Sequence, residues 1–147
     1  MRHFFSYEIR NQPSALQQLT QKLESTFFRE ISVPDIRTTV LLVVDELVSN
    51  LLKHGFGSAP DQRSYLTIAF DDDLLEIELK DNGRRFNPLN QPEPELLGRG
   101  LQDRPVGGLG VYLVLKTMDE THYEWIAPWN CLRLRKKLKR AWNDREN

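Results

Sequence analysis

The chain has 147 residues, which at roughly 150 residues per domain leaves room for one core and no second. Hydrophobic residues at 39%, charged residues at 28% and a formal net charge of −1 exclude collagen-like and disordered classes and a whole-molecule attraction to nucleic acid. A single cysteine, Cys131, excludes an internal disulfide framework and a multi-thiolate metal site, and the longest aliphatic run, Val40 to Val44, is far short of the ~20 residues of a membrane span.

The first residues lack the apolar segment of a signal peptide, so a reducing, cytoplasmic setting is expected. His3 to Arg10 alternates, with Phe5, Tyr7 and Ile9 on one face, and reads as a strand. Leu16, Leu19, Leu23 and Phe27 recur at helical spacing and predict an amphipathic helix over about 14–30. Pro34-Asp35 starts the next helix, with Asp35 as the expected N-cap. Its stripe is Ile36, Val40, Val43, Leu47 and Leu51, and it is expected to end near His54-Gly55 on a left-handed glycine cap. Ser64–Phe70 and Leu74–Lys80 read as strands across Asp71-Asp72-Asp73, which is a turn signal before it is a metal site.

Pro88, Pro92, Pro94 and Pro105 then fall in a stretch without helix or strand period. Aperiodic segments of that length are uncommon in compact domains and are usually functional lids or disordered. Leu109–Asp119 reads as a third helix, and Thr121–Ala127 and Cys131–Leu138 as a final hairpin across Pro128-Trp129-Asn130. The order β α α β β loop α β β predicts an α/β (α+β) two-layer sandwich, with a mixed, mostly antiparallel sheet and helices on one face. Charge is uneven: residues 131–147 carry +5 and residues 1–130 carry −6. The basic end is either a partner surface or a solvated strand face and tail.

Three motifs carry chemistry. Glu46, Asn50 and His54 follow one another at i, i+4 and rise along one helix flank beside the apolar stripe. A carboxylate there can take a proton, and a neutral amide oxygen suits a hard cation. Taken alone, the flank reads first as an ordinary solvated face. Asp81-Asn82-Gly83 ends a strand, where a carboxylate can accept from an exocyclic amine and glycine lets the chain turn close to a ring. Taken alone, it is a turn signal. Gly107, Gly108 and Gly110 lead into a helix, where backbone N–H groups and the helix N-terminus favour phosphate. The segment is neither a Walker A loop nor a dinucleotide fingerprint.

Together and in this order, with a long loop before the last, the three resemble the GHKL (Bergerat) ATPase fold. Within it they resemble the anti-sigma-factor serine/threonine kinase branch. Arg104-Pro105-x-Gly107-Gly108-Leu109-Gly110, Met118-Asp119-Glu120, a Tyr123-containing strand and Asn130 before the last strand add to the resemblance, which covers the chain to about Leu138.

The resemblance implies that Glu46 is the general base and that Asn50 holds the Mg²⁺ bridging the ATP phosphates. It implies that Asp81 accepts the adenine amino group, that Gly83 allows close approach, and that the backbone at Gly107, Gly108, Leu109 and Gly110 reaches the phosphates. Residues 84–106 would form a lid, with Arg99 and Arg104 as candidates for the terminal phosphate; the competing reading is surface arginines pointing at water. His54 would lie near the phosphates or simply pack, and Lys53 is a phosphate partner or a solvated lysine. One domain would span 1–138, followed by a basic tail over 139–147.

The implied activity is phosphorylation of a serine or threonine on a small anti-anti-sigma (STAS-type) protein, with capture of a sigma factor as the alternative state. A homodimer is implied, and neither a membrane nor direct nucleic-acid binding. The alternative function is a nucleotide-responsive anti-sigma or partner-binding module without kinase activity. Arg84-Arg85 departs from the smaller residue that many relatives carry before the Phe, and two charges there either attract phosphate and partner acids or narrow the pocket.

Overall fold

The computed structural model describes residues 3–57, 61–90 and 109–138. Five strands form one sheet: β1 (His3–Arg10), β2 (Arg63–Phe70), β3 (Leu74–Asp81), β4 (Glu120–Ile126) and β5 (Trp129–Lys137), in the order β1-β2-β3-β5-β4. All four pairings are antiparallel, so the mixed sheet expected from the sequence has no parallel pair among the described residues. Helices α1 (Ala15–Ser25), α2 (Pro34–Asn50) and α3 (Leu109–Thr117) share one hydrophobic core with the sheet.

The first helix is shorter than its periodicity predicts. Ser25 and Thr26 turn their hydroxyls back onto the Lys22 carbonyl, at 3.3 and 2.6 Å, and compete with helix continuation. The chain tightens into a 3₁₀ turn, Phe27–Glu30, that buries Phe27 and Phe28. Phe27 stacks on both Phe5 and Phe70, at centroid distances of 5.6 and 5.7 Å, and so locks this turn onto the sheet. The start of α2 also differs: Pro34 opens the helix, Val33 is the cap residue, and Asp35 sits inside the first turn. Proline suits that position because its missing N–H would be unpaired there anyway, and Asp35 favours the helix dipole.

At its other end α2 widens into a π-helical turn, Leu51–Gly55, closed by Phe56 N–H donating to the Leu51 carbonyl at 2.8 Å. Gly55 therefore makes no left-handed cap. A Cβ there would stand 2.7 Å from Leu51 Cδ1, the end of a flexible side chain. The Asp71–Asp73 turn is as expected: Asp71 Oδ1 accepts from the N–H groups of Asp73 and Leu74.

The strand registers set the inner face of the sheet in rows. One row is Phe5, Ile68, Ile77, Leu134 and Thr121; the next is Tyr7, Leu66, Leu79, Leu132 and Tyr123. The third is Ile9, Ser64, Asp81, Asn130 and Trp125. The outer face answers the charge asymmetry of the sequence. Arg133 pairs with Glu78, and Arg135 with Glu76 and Glu120, so the basic last strand is matched by acids of its neighbours. The tail over 139–147 lies outside the described residues.

Candidate functional site

A cavity of about 310 Å³ opens where the third row meets the end of α2. Ligand sites of this kind usually pair apolar walls with a few placed polar groups. Here Leu47, Leu51, Leu79, Val111 and Leu132 supply the walls, with Phe86 and Pro88 from the segment after β3. The polar groups are Asn50 and His54 from the helix side, Asp81, Tyr123 and Asn130 from the sheet, and Arg84.

Asp81 ends β3 with a divided carboxylate. Oδ1 accepts from Gly83 N–H at 2.9 Å and from Asn130 Nδ2 at 3.0 Å. Oδ2 has no hydrogen bond among the described residues, so it is the oxygen left to accept from a ligand. Burial pushes the Asp81 pKa up from its ordinary value, against the lowering by its bonds from Asn130 and Gly83. Ser64 stands opposite Asp81 on β2, fully buried, and its hydroxyl also has no partner among the described residues.

Asn130 is 5% exposed and uses every valence of its amide. Nδ2 donates to Asp81 Oδ1 and to the Arg84 carbonyl, the latter at 2.9 Å. Oδ1 accepts from Phe86 N–H at 2.9 Å and from the Tyr123 hydroxyl at 2.5 Å. Arg85 carries its guanidinium over the Trp125 ring, 5.4 Å from the centroid, and does not line the cavity, whereas Arg84 does.

Two glycines sit where any side chain would collide. A Cβ on Gly83 would lie 2.5 Å from the Gly55 carbonyl oxygen and 3.1 Å from Asp81 Oδ1, and the neighbouring Arg84 N–H donates to that same carbonyl at 3.1 Å. The end of α2 and the exit from β3 therefore touch backbone to backbone. A Cβ on Gly110 would fall on the Glu46 carboxylate, so Glu46 packs directly against the first turn of α3.

The helix flank read from the sequence is thus divided. Asn50 and His54 line the cavity, whereas Glu46 meets Gly110 beside it. Lys53 is exposed and does not line it. Leu109 opens α3, while Arg99, Arg104, Gly107 and Gly108 lie outside the described residues, as does residue 91 onward of the expected lid.

A family model described as the histidine kinase-like ATPase domain matches residues 9–136. The chain belongs to that family. Its fold is the GHKL (Bergerat) ATPase fold. Among curated relatives of this histidine kinase-like chain is the serine/threonine-protein kinase BtrW of Bordetella bronchiseptica, 29% identical over 112 residues, which span 76% of this chain and 78% of BtrW. The serine-protein kinase RsbW of Listeria monocytogenes is 28% identical over 82 residues, 54% of this chain and 52% of that protein. The anti-sigma F factor of Oceanobacillus iheyensis is 28% identical over 86 residues, 58% of each. All three of these relatives carry kinase or anti-sigma names.

Proposed function

We propose that this chain is an ATP- and Mg²⁺-dependent serine/threonine protein kinase and anti-sigma regulatory factor that phosphorylates a small anti-anti-sigma partner. The observation that carries the reading is Asp81. Its Oδ2, without a hydrogen bond among the described residues, belongs to a carboxylate that lines a mostly apolar cavity together with Asn50, which suits an amino-bearing base whose phosphates run toward α2 and α3. The names of the relatives supply the substrate class.

In this reading Glu46 is the general base, and Gly107, Gly108, Leu109 and Gly110 serve the phosphates with Arg104, while Lys53 and His54 complete the nucleotide-binding set. Glu46 takes the proton of the acceptor hydroxyl as its oxygen attacks the terminal phosphorus and the bond to the departing diphosphate breaks. Such a transfer needs alignment and charge neutralisation more than covalent chemistry. Among the described residues no three His, Cys, Asp or Glu side chains group to hold a metal. A lone amide oxygen, Asn50, instead suits Mg²⁺ that takes its remaining ligands from phosphates and water. Bound there, the ion supplies neutralisation of the phosphate charge.

The reading includes one domain over 1–138 with a lid over 84–106, a homodimer, and a cytoplasmic setting. Among the described residues no helix is long and apolar enough to cross a membrane. The test is incubation with labelled ATP, Mg²⁺ and a small anti-anti-sigma (STAS-type) protein from the same organism. Transfer of label to a serine or threonine is the expected result. ATP binding and sigma-factor capture without transfer would leave a binding module instead.

A further inference from the structure

The orientation of the Asn130 amide is not free. Its oxygen faces two donors, Phe86 N–H and the Tyr123 hydroxyl, and its nitrogen faces two acceptors, Asp81 Oδ1 and the Arg84 carbonyl. A flipped amide would set donor against donor at Phe86 N–H and acceptor against acceptor at Asp81 Oδ1 and the Arg84 carbonyl, with only the Tyr123 hydroxyl able to turn and accept, in a buried site where unmade hydrogen bonds are costly. The nitrogen is therefore held toward Asp81. With Gly83 N–H as the second donor, Asp81 Oδ1 is filled and the carboxylate plane is fixed. Oδ2 is the oxygen without a hydrogen bond among the described residues. The same amide grips the backbone on both sides of Arg85, so one side chain sets both the carboxylate and the wall that follows it.

We infer that Asn130, with its orientation held by Phe86 N–H and the Arg84 carbonyl and its oxygen further anchored by Tyr123, is a positioning residue that gives Asp81 its selectivity for a base bearing an exocyclic amine. Asn130 has no valence left for the base itself, so it acts only through Asp81 and through the 84–86 backbone. This rests on the nucleotide reading proposed above.

The measurement is the affinity of the full chain for ATP and for purine riboside triphosphate, which lacks the amino group, by calorimetry with Mg²⁺. The parent protein should prefer ATP by about tenfold or more, the usual worth of a hydrogen bond to a charged group. Asn130→Ala should collapse that preference to less than about threefold and leave the affinity for the analogue within about threefold of the parent. Tyr123→Phe, which removes one oxygen and keeps Phe86 N–H on the amide, should narrow the preference by roughly two- to fivefold.

A role confined to holding the fold would weaken both nucleotides in parallel, and that result overturns the proposal. So does an unchanged preference in the variants. If Asn130→Ala does not fold, Tyr123→Phe decides on the same criteria. A parent protein that binds neither nucleotide overturns the nucleotide reading as well, whereas one that prefers ATP equally with and without Asn130 overturns the positioning role alone.

Discussion

Two neighbouring rows of the inner sheet face, two residues apart along each strand, do opposite work. In the Tyr7, Leu66, Leu79, Leu132, Tyr123 row the three central strands offer leucine, which is core throughout and, at Leu79 and Leu132, also forms apolar walls of the cavity. In the Ile9, Ser64, Asp81, Asn130, Trp125 row the same strands offer a hydroxyl, a carboxylate and an amide. Asp81 and Asn130 of this row line the cavity. At about 3.3 Å per residue the change from core to site takes roughly 7 Å. Buried polar groups need partners, and in this row Asn130 donates to Asp81 Oδ1, whereas the Ser64 hydroxyl has no partner among the described residues.

The comparison breaks hardest on the helix side of the cavity. Glu46→Gln should lower phosphoryl transfer by roughly 10²–10⁴-fold, the worth of a general base, with Mg²⁺-ATP affinity unchanged by calorimetry. Next comes the apolar row. Leu66 is 2% exposed, and Leu66→Ala should cost about 2–5 kcal/mol in denaturant unfolding while the ATP preference of the folded protein stays intact. In the polar row the ordering reverses. Asp81→Asn should lose about 1.5–3 kcal/mol of ATP binding, measured by calorimetry, with little loss of fold. Gly110→Ala drives a methyl onto the Glu46 carboxylate and should cost about 1–3 kcal/mol of stability together with turnover, tested by paired unfolding and transfer assays.

The smallest effect is in pH. Because burial holds the folded pKa of Asp81 above 3.8, the folded state binds more protons than the unfolded one between those two values. Stability therefore falls as pH rises through that window, and above it the ionised buried carboxylate carries a standing cost. ATP affinity should fall as pH is lowered into the same window, because Oδ2 then loses its charge. Asp81→Asn should remove both dependences and raise the unfolding temperature above the window relative to the parent, as scanning calorimetry across pH would report.

The apolar row was legible in the sequence, because alternation in Phe5, Tyr7, Ile9 and in Leu132, Leu134 marks an inner face without knowledge of any partner strand. The acceptor at Asp81 and the tight turn at Gly83 were legible as a motif. What Asn130 and Ser64 do was not, since it depends on β3 pairing with β5 across 49 residues and on β2 lying opposite Asp81. Asn130 was noticed only for its place before the last strand. The π turn was missed because the stripe of α2 runs straight through Leu51, and periodicity cannot report one extra residue in a turn. Asp35 misled as a cap because Pro34 takes the first helical position.

The contact between Gly55 and Gly83 bears on how such a site can diversify. Two main chains meet there with no room for a side chain on Gly83. The separation of helix end from strand end is set by peptide geometry alone, and substitution has no graded means of altering it. New ligand preferences must then arise by exchanging what lines the slot, while its gauge is inherited unchanged.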